Sequence, residues 1–123
     1  PQSIYKFGTY TVRAKEEEEA EELLDDALML ERIGCFAIVL EKVPATLAKK
    51  VAEALRIPII GIGAGNGVDG QVLVTHGMIG MTHEFNPRFL RRYLDLYADM
   101  TGAFENYITD VKSGDFPTDK EQY

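Results

Sequence analysis

A continuous apolar stretch that ends in a single carboxylate is the feature that most constrains this chain. Residues 36–40 read FAIVL, Glu41 follows directly, and Pro44 comes three residues later. An apolar run bounded by a turn is typical of a buried strand in a parallel sheet, and proline is tolerated in the first turn of a helix. The sequence therefore predicts that Glu41 lies at the carboxyl end of a strand, where α/β folds hold their functional sites. An ion pair between Glu41 and a lysine at the rim of the sheet is the structural alternative.

Helical and extended patterns alternate along the rest of the chain. Apolar residues at helical spacing predict helices, short apolar runs predict strands, and Gly34 and Gly114 stand where helices commonly stop. The alternation implies an α/β fold with a parallel sheet and helical crossovers. The predicted elements are a loop over 1–14, a helix over 15–33, a strand over 36–40, a helix over 44–55, a strand over 57–62, a short strand over 72–74, a loop over 75–85, a helix from 86–87 to 114 and a polar tail over 115–123.

Chain length limits the architecture that this pattern can build. A complete (β/α)₈ barrel takes about 250 residues, whereas this chain has 123. Three parallel strands cannot close a barrel, and an open sheet of three strands leaves two unpaired edges. The sequence therefore predicts either a small open sheet that oligomerises or half of a barrel. The first residue is Pro1 rather than methionine, which favours a processed or trimmed piece of a longer protein.

Charge and composition exclude several classes of protein. The net charge is −7, but eight acidic residues lie between Glu16 and Asp26, and the remaining 12 nearly balance the 13 basic ones. The acidic block is predicted to be the solvated face of a helix. No broad basic field exists for nucleic acid or an anionic membrane, and no apolar run approaches the roughly 20 residues of a membrane span. Cys35 is the single cysteine, so no intrachain disulfide can form. Cys35 is predicted to be a small buried apolar residue, and a cytoplasmic location is predicted.

A glycine-rich segment follows the second predicted strand. Gly61, Gly63 and Gly65 alternate with other residues, and the segment runs on to Gly70. Glycine lets backbone N–H groups turn toward an anion, or lets a ligand approach closely. The segment leads into a polar loop rather than a helix and carries no G-K-[ST], so neither a dinucleotide fingerprint nor a P-loop is present. Two interpretations stay open, a loop on the substrate side of the site and a purely structural turn.

Residues of the last third give weaker signals. His76 and His83 lie in a predicted loop without a cysteine cluster, so ordinary hydrogen bonding is preferred to metal binding. The arginines at positions 88, 91 and 92 could hold an anionic group, but Arg91 and Asp95 have the spacing of a helical ion pair, which is the preferred interpretation. The aromatic residues of the last helix are predicted to be helical core or subunit interface, and they are Tyr93, Tyr97, Phe104 and Tyr107.

In their order and spacing, these landmarks resemble the C-terminal half of the ketopantoate hydroxymethyltransferase (3-methyl-2-oxobutanoate hydroxymethyltransferase) family. The resemblance covers almost the whole chain. It implies that residues 1–123 form one domain, the C-terminal half of a (β/α)₈ TIM barrel of the phosphoenolpyruvate/pyruvate type, with about three βα units and a long C-terminal helix. The matching segments are 1–3, 8–10, 36–44, 57–65, 69–74 and 116–117.

The resemblance also implies an activity. Members of the family are transferases of pantothenate biosynthesis that move a hydroxymethyl unit from 5,10-methylenetetrahydrofolate to 3-methyl-2-oxobutanoate, giving 2-dehydropantoate. In the family Mg²⁺ chelates the 2-oxo acid, and the glutamate at the position of Glu41 accepts the C3 proton. The metal ligands and a substrate lysine belong to the N-terminal half of the family, so no metal ligand is assigned to this chain. A homodecamer is implied, with the N-terminal half of the same enzyme as a partner, and the isolated chain is expected to be inactive.

The chain departs from the family pattern at one position and leaves two other functions open. Gly77 stands where family members often have an aspartate, which puts any loop function of that acid in doubt. Another carbon–carbon bond lyase of the same superfamily would share the barrel but not the folate. A non-catalytic half-barrel acting as a binding module is the alternative from another class of protein.

Overall fold

The computed structural model describes residues 17–123. The chain divides into two compact units, the first ending at Val72 and the second running from Leu73 to Tyr123. The predictions made for residues 1–14 lie outside the described residues.

The first unit is a parallel three-stranded sheet with two helices. Its elements in chain order are α1 (Glu17–Arg32), β1 (Ile38–Glu41), α2 (Ala45–Ala54), β2 (Ile59–Ile62) and β3 (Gly70–Gln71). The strand order is β1-β2-β3, and both pairings are parallel. The predicted α/β class with a parallel sheet is confirmed.

Helix α1 ends where the sequence indicates. Gly34 has a φ of 98°, a conformation that glycine adopts without steric cost. Its N–H donates to the Glu31 carbonyl at 3.0 Å, and the Cys35 N–H donates to the Leu30 carbonyl at 3.1 Å. These two bonds form a Schellman motif, which satisfies carbonyls left free at the helix end. The acidic residues of α1 are mostly exposed, as predicted, whereas Cys35 is half-buried rather than buried.

The two faces of the sheet differ in what covers them. Leu40 and Ile59 face the helices and belong to a buried core that also contains Ala27 of α1 and Val51 of α2. Side chains alternate between faces along a strand. Val39 therefore points to the opposite face, where its side chain is 60% exposed against 4% for Leu40. Among the described residues, the helices of the first unit cover one face of the sheet.

Three strand boundaries differ from the sequence prediction. β1 starts at Ile38, because Phe36 lies before the sheet and is 89% exposed. β2 starts at Ile59, after Pro58, which has no N–H for a ladder bond. β3 is Gly70–Gln71 rather than 72–74. The glycine-rich loop returns directly to β2, where the Asp69 N–H donates to the Ile59 carbonyl at 3.0 Å.

The second unit contains a short helix, an extended stretch and a long helix. Helix α3 is Thr75–Met78, within the predicted 75–85 loop, and α4 is Leu96–Ser113. Within residues 17–123, α4 has no buried residue, so Tyr97, Phe104 and Tyr107 do not form a helical core there, and the alternative of a subunit interface stays a prediction. Gly114, with a φ of 80°, ends α4 as predicted.

The start of the last helix was predicted about ten residues too early. Asn86 and Pro87 open only a single turn, in which the Leu90 N–H donates to the Pro87 carbonyl. The backbone then runs past α3, with the Tyr93 N–H donating to the Met78 carbonyl at 2.8 Å. Asp95 is the true N-cap of α4, because its carboxylate accepts from the Ala98 N–H at 3.2 Å. The predicted helical ion pair of Arg91 and Asp95 is therefore wrong, since both residues precede the helix.

Candidate active site

Glu41 is the last residue of β1, as the sequence predicts. In the parallel ladder Glu41 is opposite Ile62, the last residue of β2. Both strands therefore end at the same edge of the sheet, and the glycine-rich loop leaves β2 beside Glu41. In α/β folds the carboxyl ends of parallel strands are where ligands bind.

Alternation along β1 places Glu41 on the same face as Val39, away from the helices. Ile60 and Ile62 of β2 share this face through the register of the ladder. The Glu41 side chain is exposed in the described part of the chain. The site is thus a carboxylate at the end of an apolar face that the helices of the first unit do not cover.

The chain turns sharply after Glu41. Lys42 has a φ of 54° and is, within residues 17–123, the one residue other than glycine with positive φ. Its N–H donates to the Ile62 carbonyl at 2.9 Å, which extends the ladder past Glu41. Val43 is then buried in the core, and the Pro44 carbonyl accepts from the N–H groups of Leu47 and Ala48 in the first turn of α2. The turn therefore connects the strand to the helix without a free loop.

The glycine-rich loop is shaped by close packing. Gly61 lies within β2, where an added Cβ would meet the Val68 side chain at 3.0 Å. Gly63 and Gly65 have φ values of 61° and 78°. A Cβ on Gly65 would overlap Ala45 at the start of α2. These contacts explain the glycines structurally, while the substrate-side interpretation of the loop stays a prediction that its position beside Glu41 supports.

Two polar side chains that sequence reasoning missed hold this loop. The Asp69 carboxylate accepts from the Ile59 N–H at 2.9 Å, and the Gln71 side-chain amide donates to the Gly65 carbonyl at 2.8 Å. Aspartate among glycines is a common turn residue because its side chain accepts from nearby backbone N–H groups. That pattern indicates a turn at Asp69 but does not indicate the bond to Ile59, which is ten residues away in sequence.

Arg92 and His83 organise the second unit. One terminal nitrogen of the Arg92 guanidinium donates to the backbone carbonyls of Thr82 and Phe85 at 3.1 and 3.0 Å, whereas the buried Arg92 Nε has no hydrogen-bond partner among the described residues. His83 Nε2 lies 3.0 Å from the Asp95 carboxylate. This hydrogen bond, followed by the one from the Ala98 N–H, lowers the pKa of Asp95 below its ordinary value of 3.8. Ordinary hydrogen bonding is therefore what the structure shows for His83.

Comparison with known proteins assigns the family. The family model described as ketopantoate hydroxymethyltransferase matches residues 1–119. This chain belongs to the ketopantoate hydroxymethyltransferase family. Proteins named 3-methyl-2-oxobutanoate hydroxymethyltransferase are 76% identical in Christiangramia forsetii, 69% in Flavobacterium johnsoniae and 68% in Phocaeicola vulgatus, in each case over the whole chain and 45% of the relative. The chain thus spans less than half the length of the curated relatives it matches.

The groupings of His, Cys, Asp and Glu side chains within residues 17–123 decide whether this part of the chain alone could hold a metal ion. Residues 17–123 contain no group of three or more His, Cys, Asp or Glu side chains placed to hold a metal ion. His76 lies in α3 and His83 pairs with Asp95, both in the second unit. A metal ion beside Glu41 would therefore need ligands from outside the described part of this chain.

In the part of the chain that the structure describes, no helix combines the length and the apolarity that crossing a bilayer requires.

Proposed function

We propose that this chain is the part of a ketopantoate hydroxymethyltransferase that carries the general base, Glu41. In the complete enzyme, a hydroxymethyl unit moves from 5,10-methylenetetrahydrofolate to 3-methyl-2-oxobutanoate, giving 2-dehydropantoate for pantothenate synthesis. The observation that carries the proposal is the position of Glu41, the terminal residue of β1, in register with Ile62 and on the sheet face away from the helices. Membership of the family supports the choice of reaction.

The uncovered face of the sheet supports a half-barrel. Val39, Ile60 and Ile62 are apolar, lie on one face, and are not buried. In a (β/α)₈ barrel of the phosphoenolpyruvate/pyruvate type, helices cover the outside of the strands and side chains of this kind fill the interior. We infer that the part of the relatives that this chain does not match closes the barrel over this face. This N-terminal half is then the first partner of the chain, and a cytoplasmic homodecamer is the proposed assembly.

The chemistry assigns Glu41 a defined proton transfer. A carboxylate oxygen of Glu41 takes the C3 proton of the oxo acid, and the electron pair of the broken C–H bond forms the enolate. Over the whole reaction both C–N bonds of the folate methylene carbon break, with their electron pairs going to nitrogen, while that carbon forms one bond to the enolate carbon and one to the oxygen of a water molecule. The C3 proton and one proton of the water end on the two folate nitrogens. A carboxylate positioned for such a transfer contributes about 10²- to 10⁴-fold to the rate.

Two features of the complete enzyme would adapt Glu41 to this role. Its side chain is exposed in the described part of the chain, and closure of the barrel would exclude bulk water from its surroundings. The C3 proton is too weakly acidic to leave unaided near neutral pH. Mg²⁺, held by residues outside this chain, would stabilise the negative charge that develops on the keto oxygen.

The test is Glu41→Gln in a complete enzyme, assembled by joining this chain to the unmatched part of the C. forsetii relative. NMR follows deuterium exchange at C3 of 3-methyl-2-oxobutanoate with magnesium present. We expect exchange to fall by about 10²-fold or more. Glu53→Gln is the matched control, since Glu53 is an exposed residue of α2 near Lys49, and it should exchange normally. Full exchange in Glu41→Gln would disprove the assignment of the base.

The same assay separates the alternatives. Transfer that needs methylenetetrahydrofolate indicates the hydroxymethyltransferase, whereas aldol cleavage without folate indicates another lyase. A complete enzyme that catalyses neither reaction indicates a binding module.

A further inference from the structure

The turns that follow β1 and β2 have the same form. In the ladder Glu41 is opposite Ile62, so Lys42 and Gly63 occupy equivalent positions after their strands. Both have a left-handed backbone, with φ values of 54° and 61°. The next residue along each chain segment, Val43 or Ala64, is buried in the core.

A left-handed residue at this position changes the face of the sheet toward which the next side chain points. In an extended strand, side chains alternate between faces, so Val43 would lie on the same face as Glu41. Val43 instead belongs to the helix-side core with Leu40. The reversal at Lys42 lets Glu41 stay on the uncovered face while Val43 enters the core. The direction of the carboxylate and the packing of Val43 therefore depend on one backbone conformation.

The two turns differ in the residue that adopts this conformation. Glycine adopts left-handed φ and ψ values without steric cost, as at Gly63, but it adopts other backbone conformations just as readily. An L-residue such as lysine is disfavoured there, and once held there it is confined to a small region of φ and ψ. Strained backbone that the surrounding structure maintains is characteristic of functional sites. At Lys42 the constraint comes from the 2.9 Å bond between its N–H and the Ile62 carbonyl and from burial of Val43.

We propose that Lys42 is a positioning residue, whose restricted left-handed backbone fixes the direction of the Glu41 carboxylate toward the reacting carbon. The inference rests on the proposed function, because it assumes that Glu41 is the base. It adds a residue whose contribution comes from its backbone rather than from its ammonium group.

The experiment compares Lys42→Gly with Lys42→Ala in the complete enzyme. Both variants remove the ammonium group, but only glycine releases the backbone restriction. For Lys42→Gly we expect C3 exchange and kcat to fall about tenfold, which is within the effect of a small misplacement of a reacting group. KM for the oxo acid should stay within about twofold of the wild type, because binding groups are untouched. Lys42→Ala should keep exchange within about twofold of the wild type.

Thermal unfolding shows whether a loss of exchange reflects a folding defect. Glycine accepts a positive φ, so the Tm of Lys42→Gly should equal or exceed that of the wild type. Unchanged exchange in Lys42→Gly overturns the proposal, as does an equal loss in Lys42→Ala, which would assign the effect to the side chain.

Glu41→Gln, measured in parallel, distinguishes failure of the base assignment from failure of the positioning role of Lys42. If Glu41→Gln loses exchange and Lys42→Gly does not, only the role of Lys42 is overturned. If Glu41→Gln keeps full exchange, the base assignment fails, and the positioning role fails with it.

Discussion

Each of the two units of the chain is stabilised by a different kind of interaction. The first unit buries an apolar core around Val51 and Ile59, and its strands end in register at a carboxylate. The second unit has a long helix, α4, without a buried residue among those described. Its preceding stretch is organised by polar contacts of Arg92 and Asp95. The stability of the first unit is therefore expected to depend on its packed core, whereas within residues 17–123 α4 depends on its own helical bonds and its N-cap.

Removing core volume is the largest expected effect and tests this contrast directly. Ile59 is 0% exposed and Ile108 of α4 is 48% exposed. In the complete enzyme, Ile59→Ala should lower the free energy of unfolding by about 2–5 kcal/mol, because it leaves a cavity. Ile108→Ala should lower it by less than about 1 kcal/mol. Urea denaturation measures both, and equal losses would show that α4 is buried in the assembly, which would end the contrast.

Loss of the loop anchor in the first unit is the second expected effect. Asp69→Ala leaves the Ile59 N–H without its side-chain acceptor, which should cost about 1–3 kcal/mol. Asp69→Asn keeps an acceptor oxygen and is the matched control, with a smaller expected loss. Urea denaturation gives the two values, and an Ala variant as stable as the Asn variant would show that the anchor contributes nothing.

The polar organisation of the second unit gives a third, more local effect. Arg92→Lys keeps the charge but loses the planar set of donors that reaches the Thr82 and Phe85 carbonyls. We expect faster amide hydrogen exchange in residues 82–86, corresponding to about 1 kcal/mol of local stability. Arg91→Lys changes an exposed residue and should leave exchange unaltered. A uniform rise in amide exchange rates across the whole protein would contradict a local role for Arg92.

Acid sensitivity of the α4 cap is the smallest expected effect. The hydrogen bond from His83 and the bond from the Ala98 N–H lower the pKa of Asp95 below 3.8. A lowered folded-state pKa means that this stabilisation is complete above the unfolded value and is lost as pH falls through the folded value. Asp95→Asn should therefore flatten the decrease in helical circular dichroism below about pH 4. An unchanged acid transition in that variant would exclude a contribution from Asp95.

The sequence predicts the first unit better than the second, for physical reasons. The apolar run before Glu41 and the glycine after α1 are local signals, and local geometry decides both features. The start of α4 was misassigned because Asn86 and Pro87 form a good local helix start, whereas the observed start depends on backbone bonds such as that from Tyr93 to Met78. Such long-range pairing leaves no periodic signal in the sequence.

Some features of the candidate site can likewise be predicted from local sequence, whereas others depend on distant residues. The position of Glu41 follows from where an apolar run ends, and so was predictable. The positive φ of Lys42 was not, because lysine gives no signal of a left-handed turn. It becomes visible only when the register shows that Lys42 is the counterpart of Gly63. The role of Asp69 likewise depends on Ile59, which is ten residues away in sequence.

Because β1 and β2 end at paired residues, insertions and deletions within β1 would affect the position of Glu41. Glu41 is held opposite Ile62 by consecutive paired residues. Adding or deleting one residue within β1 would move the carboxylate to the helix-covered side, since the side-chain period of a strand is two. A change of one residue in β1 is therefore excluded by parity, whereas a change of two would keep Glu41 on the uncovered face.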